Sequence, residues 1–469
     1  MNRKQHATET WDSAEEDTLP GACVPRIIRF FRADDPFDAV EEFPLTPTCH
    51  LLVGRGSSCN GSAPAVTRIE SSHDSLMSAH HATIASLDDG HEITDAASKN
   101  GTFVNGQRIT SPHRFVDGDV VECGHTFFIY RCKNVVQGPA SHLANEDRIA
   151  VPPLLYQMAS LFPYVTSDAT IHLHGETGTG KEVVARAIHD LSGRSGLFVA
   201  RNCAAIPDSL FESELFGYAR GAFSGASTGQ RGQILAADGG TLFLDEIGEL
   251  SLNLQAKLLR VLELKEVLPL GATTPTPVNF RLVSATLQDL RQAVVEGRFR
   301  ADLYGRLGHT FEIPPLREHK EEIGRLVSAF LGASMTARRE RGQPISKVYF
   351  TLAAARRLLT YAWPFNVREL KRAIDNAVIA ALAEPPIDGF GVIRLAHLPI
   401  PMGTEPCEPA AISGSPGELN ELTDERLLEA LRQAEGNRAE TAKLLGVSQR
   451  TVFRRLRKLR VSETTRESE

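Results

Sequence analysis

Two short stretches of the 469-residue chain hold residue types suited to polyphosphate chemistry. The first is Gly175-Glu176-Thr177-Gly178-Thr179-Gly180-Lys181, followed by Glu182. Glycines let such a turn aim its N–H groups at an anion, a following helix adds its positive N-terminus, and the lysine reaches the β and γ phosphates. The pattern usually continues with Ser or Thr, whose hydroxyl binds magnesium; Glu182 has none. The second stretch, Thr241-Leu-Phe-Leu-Asp-Glu246, is an apolar run ending in two carboxylates. Asp245 is placed to hold Mg²⁺ and Glu246 to orient or deprotonate an attacking water. Taken alone, such a run is equally a capped strand; behind a phosphate loop it reads as a hydrolytic site. His172 and His174 share a face of the preceding strand, and without a third ligand they read as packing rather than metal binding.

Two further stretches suit macromolecular contact. Arg220-Gly-Ala-Phe-Ser-Gly-Ala226 sets one aromatic among small residues. It is either a plain surface turn or a mobile loop presenting Phe223 to a partner. Near the end, Leu445, Val452, Leu456 and Leu459 form one stripe, leaving Gln449, Arg450, Arg454 and Arg457 outside it. Arginine can read guanine, glutamine can read adenine, and further basic residues suit phosphates.

These residues need elements to position them. Ile171 and Leu173 alternate as on a strand, and Val183, Val184, Ala187, Ile188 and Leu191 follow at helical spacing, so the phosphate turn joins a strand to a helix. Residues 148–385 alternate strand-like and helical runs, an α/β domain followed by helices. Residues 25–133 show short β-type runs between Gly, Ser, Asn and Asp clusters, the punctuation of an all-β domain. Residues 1–24 read as a disordered tail, 134–147 as a linker and 386–418, rich in Pro and Gly, as a flexible tether. In 419–461, Gly436 and Gly446 separate three short helices, with Gly446-Val447-Ser448 as the tight turn of a helix-turn-helix. The net charge of -7 averages over all of this and hides any basic patch. Seven scattered cysteines without a CxxC pair, no long apolar run and a polar start predict a reduced, cytoplasmic protein without a membrane span.

The central region resembles the AAA+ activators of sigma-54 RNA polymerase. "NCAAIPDSLFESELFGYARGAFSGA" resembles the segment ending in the GAFTGA loop, "GRFRADLYGRL" the arginine-finger region and "WPFNVRELKRAI" the second sensor. The resemblance implies ATP with Mg²⁺ and a homo-oligomeric, hexameric ring. It makes Gly221, Ala222, Phe223, Ser224, Gly225 and Ala226 the sigma-contact loop, with Ser224 standing where Thr is usual. By position, Asn202 restrains the catalytic glutamate, Arg300 and Arg306 reach the γ-phosphate of a neighbouring subunit, and Arg368 reports nucleotide to the helical lid. Leu287 departs from a usual Asn and Phe365 from a usual Gly. Asn366 with Glu369 predicts a capping-box-like helix start.

The tail resembles the Fis-type helix-turn-helix, implying double-stranded upstream DNA as a partner. The β-domain resembles a forkhead-associated (FHA) sandwich through Gly54-Arg55, Ser78 with His81, "SKNGT" and Asn105-Gly106. That implies a phosphothreonine-containing partner, with Arg55 and Ser78 on phosphate, Asn100 on peptide backbone, Lys99 adding charge where Thr is usual, and His81 bracing the loops. Ala79 also departs, replacing a polar or basic residue. The fold class expected is multidomain: FHA-type sandwich, α/β AAA+ P-loop ATPase with helical lid, and small helix-turn-helix. The function expected is ATP-driven remodelling of sigma-54 polymerase under phosphopeptide control. A remodeller of another client, or a DNA-binding adaptor with weak ATPase, are the alternatives.

Overall fold

The computed structural model describes residues 25–38, 40–45, 50–55, 66–71, 73–132, 161–204, 207–223, 226–340, 347–384, 387 and 390–401. The predicted helix-turn-helix with Gln449, Arg450, Arg454 and Arg457, the tail, the 134–147 linker and loop residues Ser224 and Gly225 lie outside them.

The N-terminal strands are β1 (Arg26–Arg32), β2 (Glu41–Pro44), β3 (His50–Gly54), β4 (Val66–Glu70), β5 (Ala82–Leu87), β6 (Gly90–Asp95), β7 (Thr102–Val104), β8 (Gln107–Arg108), β9 (His113–Arg114), β10 (Val120–Cys123) and β11 (Thr126–Arg131). They form a six-stranded sheet ordered β2-β1-β11-β10-β7-β8 and a five-stranded sheet ordered β4-β3-β5-β6-β9. Alternating inward residues such as Val53, Ile84, Ile93, Val121, Phe128 and Tyr130 fill the sandwich. Asn105 and Gly106 both have positive φ, 49° and 81°, which closes the two-residue hairpin between β7 and β8. All six residues of β11 are buried, because its outward Phe127 and Ile129 join a second core.

The central strands are β12 (Ile171–His174), β13 (Phe198–Asn202), β14 (Gly217–Tyr218), β15 (Gln230–Arg231), β16 (Thr241–Asp245), β17 (Glu266–Val267), β18 (Thr276–Pro277), β19 (Arg281–Thr286) and β20 (His309–Glu312). Five make one sheet, β13-β16-β19-β12-β20, in which every pairing is parallel. The helices are α1 (Phe162–Val165), α2 (Lys181–Leu191), α3 (Asp208–Phe216), α4 (Gln233–Ala236), α5 (Leu252–Leu264), α6 (Leu290–Val295) and α7 (Ala301–Arg306). Strands buried on both faces read as near-continuous apolar runs, as Thr241–Leu244 does. Ligands of such sheets sit beyond the strands' carboxyl ends, where the turn after β12 and the carboxylates after β16 lie.

The lid comprises α8 (Glu322–Glu340), β21 (Val348–Phe350), α9 (Leu352–Thr360), α10 (Asn366–Ala383) and β22 (Gly391–Ile393). Thr351 caps α9 by accepting from Ala354 N. The expected tether from 386 is corrected here. β22 runs parallel to β21, and Leu398 and Ile400 are buried in the lid core. The chain after the Pro- and Gly-rich stretch at 385–391 therefore still belongs to the folded lid. No described helix is long and apolar enough to cross a membrane.

Candidate nucleotide and phosphate sites

Gly178 and Gly180 take the left-handed φ values of 82° and 97° that the turn requires, and α2 begins at Lys181. Lys181 is buried. Its Nζ donates to Gly175 O at 2.9 Å and Glu176 O at 3.3 Å, and lies 3.9 Å from Glu246 Oε1. Thr179 Oγ1 donates to Glu176 O at 2.9 Å, closing the turn on itself. Glu182 is exposed.

β13 and β16 pair Asn202 with Asp245. Asn202 Nδ2 donates to Asp245 Oδ2 at 3.3 Å, so this amide rests on the aspartate and not on the glutamate that the resemblance assigned to it. Glu246, at φ 52°, is held from another strand: its Oε2 accepts from Thr286 Oγ1 and from Leu287 N, each at 3.3 Å. The unusual Leu287 therefore contributes a backbone N–H, which any residue except proline supplies. Among the described residues no cluster of three His, Cys, Asp or Glu could hold a metal. His172 is a packing residue: its Nδ1 bonds Ser284 Oγ at 2.9 Å, and burial pulls its pKa down to about 4.

The lid closes on the phosphate turn through Arg317, which the motif reading did not single out, and through Asn366 and Arg368, which it did. Arg317, between β20 and α8, forks onto Glu176 at 2.7 and 2.9 Å, and this holds the Glu176 carboxyl below its usual range. Fully buried Asn366 donates to Glu176 Oε2 and Thr177 O, both at 3.1 Å, and accepts from Leu316 N at 2.8 Å. The expected capping by Asn366 gives way to this role. Phe365 takes the cap position, and its N–H donates to Glu369 Oε2 at 3.1 Å. Arg368 N donates to Gly178 O at 3.3 Å, and its side chain is exposed. A Cβ at Gly178 would come within 2.3 Å of Phe365 O. Glu176 inside the phosphate turn calls for a countercharge, but nothing in the sequence marks Arg317, 141 positions away, as its source.

Arg300 and Arg306 are exposed and paired locally, with Asp302 at 3.0 and 2.7 Å and with Glu263 at 3.3 Å. The loop carrying Phe223 rises between β14 and β15, which pair antiparallel. Gly221 (φ 81°) donates to Ala226 O at 2.9 Å, and half-exposed Phe223 leans on Tyr218 at 4.9 Å between ring centroids. Leu270, in the β17–β18 connection, bonds both Gly217 O and Ala219 N.

In the β-sandwich, the four residues expected to meet a phosphopeptide converge. Arg55 N donates to Ser78 O at 3.0 Å, and Arg55 Nη1 lies 3.5 Å from Ser75 O. Ser78 Oγ accepts from Lys99 N at 3.0 Å, and Asn100 Nδ2 donates to Leu76 O at 2.7 Å. Buried His81 ties both loops together through Ser78 N (3.0 Å) and Gly101 O (3.2 Å), and burial lowers its pKa. The Arg55 and Lys99 side chains are exposed.

Four family models match the chain. They are the Sigma-54 interaction domain over residues 154–313, the AAA+ ATPase lid domain over 317–405, the FHA domain over 51–124 and the bacterial regulatory protein, Fis family, over 421–459. The transcriptional regulatory protein ZraR of Klebsiella oxytoca is 41% identical over 313 residues, covering 66% of this chain and 67% of that protein. The acetoin catabolism regulatory protein of Cupriavidus necator is 42% identical over 309 residues, 64% of this chain and 45% of that one. Among solved structures, NtrX from Brucella abortus in complex with ATP aligns at a TM-score of 0.46 and 28% identity, covering 68% of this chain and 71% of that one. A nucleotide turn under a helical lid, an FHA domain and a Fis-type segment thus meet in one chain, which belongs to the sigma-54-dependent transcriptional regulators and carries their AAA+ ATPase.

Proposed function

We propose that this regulator hydrolyses ATP in a homo-oligomeric, hexameric, cytoplasmic ring and uses the turnover to remodel sigma-54 polymerase from an upstream DNA site. The observation that carries this reading is the approach of Lys181 to Glu246, 3.9 Å apart across β12 and β16. In the working site Lys181 leaves its carbonyl partners for the β and γ phosphates, and the turn's N–H groups take the remaining phosphate oxygens. Asp245 would hold Mg²⁺, which when bound would supply positive charge to the phosphate oxygens. Glu246, steadied by Thr286 and Leu287 N, orients the attacking water. Arg300 and Arg306 act on a neighbouring subunit's nucleotide, for which their exposure is suited. Phe223 makes the sigma contact when its loop rises from Tyr218. Gln449, Arg450, Arg454 and Arg457 read the DNA, and the FHA loops bind a phosphothreonine partner through Arg55, Ser78, Lys99 and Asn100. In vitro transcription from a sigma-54 promoter tests the whole. Glu246→Gln should bind ATP and neither hydrolyse it nor open the promoter, while Phe223→Ala should hydrolyse it without opening. Promoter opening by Glu246→Gln at the wild-type rate sinks the reading.

A further inference from the structure

The FHA domain and the lid share one apolar core. Phe31, Phe127 and Ile129 pack in it with Leu331, Phe350 and Leu358, and the Phe31 and Phe350 rings meet edge-on at 5.6 Å. Phe350 N donates to Ala33 O at 2.8 Å. α8 approaches so closely at Gly324 that a Cβ there would lie 1.8 Å from Phe30 O. Charged groups close both ends. Arg131 of β11 donates through Nη2 to Glu318 O at 2.8 Å and through Nε to Glu321 at 3.0 Å. Arg356 of α9 forks onto buried Glu122, both bonds at 2.7 Å, and its guanidinium lies 4.4 Å from the Phe103 ring centroid. Domains joined by small, polar contacts move freely against each other; a shared apolar core binds them as one body.

Arg356 also stands between two sites. Glu122 and Phe103 are cross-strand neighbours, and β7, which carries Phe103, follows directly on the loop of Lys99 and Asn100. From the other side, α9 leads through Trp363, whose Nε1 donates to Leu358 O, to Asn366 on the phosphate turn. We propose that the outer face of the β1-β11-β10 sheet is an interaction surface whose partner is the lid of the same chain. The FHA domain travels with the lid, and Arg356 links occupancy of the 98–101 loop to nucleotide affinity. The peptide half of this rests on the phosphothreonine reading above. Linkage is reciprocal, so each ligand shifts the other's affinity by one factor.

The full-length protein supplies the test, with a non-hydrolysable ATP analogue as one probe and a degenerate phosphothreonine peptide library as the other. Exchange of the Phe350 amide reports docking, and it should be slow with and without the analogue. Arg356→Glu should speed that exchange and shift the analogue's Kd by about fivefold, and Glu122→Arg/Arg356→Glu should restore both. If Arg356→Glu fails to fold, Arg356→Gln carries the same expectation at reduced size. Faster Phe350 exchange on nucleotide binding would mean that the domain is released rather than carried, and overturns the proposal. So does an undocked, folded Arg356 variant with unchanged nucleotide affinity, or a library that binds without moving the analogue's Kd. A library that binds nowhere, while the Arg356 results hold, removes the phosphothreonine reading and leaves the docking standing.

Discussion

Glu176 is an acid inside an anion cradle, where the fork from Arg317 supplies its countercharge and Asn366 a further hydrogen bond. Removing Arg317 leaves a carboxylate without its countercharge beside the incoming triphosphate, held by Asn366 alone. Arg317→Ala should therefore weaken ATP binding by about tenfold, or ~1.4 kcal/mol, while Glu176→Gln/Arg317→Ala recovers part of the loss because the repulsion has gone. Nucleotide titration of the two variants checks this, and equal losses in both would assign Arg317 a purely structural part. Glu322 poses the opposite problem at the FHA–lid contact. Burial raises its pKa to about 7, helped by Glu321 and Glu42 and opposed by Arg325, and its Oε2 finds no partner among the described residues. The folded state then holds a proton that the unfolded state has lost, so stability falls as pH rises from about 4.5 to about 7 and stays lower above. Glu322→Gln should raise the melting temperature by a few degrees at pH 8 and little at pH 5, which paired thermal melts would show.

At the scale of elements, the spacing that predicted strand, glycine turn and helix at 171–191 met a structure of the same order, because that local geometry is written into Gly178, Gly180 and Lys181. The apolar run ending at Asp245 was legible for the same reason. What the sequence hid was long-range. Asn366 looked like a helix cap since Asn caps helices locally, but its side chain answers to Glu176, 190 positions away. The glutamate's partners Thr286 and Leu287 come from another strand, and one of them acts through the backbone, where side-chain identity carries no signal. The close approach of α10 to the turn gives a direct test. Gly178→Ala places a methyl at φ 82° against Phe365 O, so α10 must back away from the phosphates. Its ATP affinity should fall by at least about tenfold with the fold retained by circular dichroism, the combined effect of left-handed strain and the lid's displacement. Unchanged affinity would mean that the lid does not rest on this turn in solution.

Over the whole molecule, the decisive feature is a sandwich strand, β11, with no solvated face. β11 reads Thr-Phe-Phe-Ile-Tyr-Arg, and an isolated FHA-type strand has no use for apolar residues on both sides. Phe127→Ala should cost about 3–5 kcal/mol and loosen the lid together with the sandwich, seen as a single shifted transition in denaturant. A fragment lacking residues 1–133 should uncover Leu331, Phe350 and Leu358 and aggregate, which light scattering would detect. A soluble, monodisperse fragment with native ATPase would show that the lid has another cover. The sheet that carries β11 bears on ancestry. Sensor domains are commonly pictured as cassettes, exchanged between regulators by recombination at a linker. Here a crossover between 134 and 147 would part Phe127 from Phe350 and Glu122 from Arg356. Descendants carrying this FHA domain must inherit the matching lid face with it, so drift at positions 31, 122, 127 and 129 should be tracked by compensating change at 331, 350, 356 and 358.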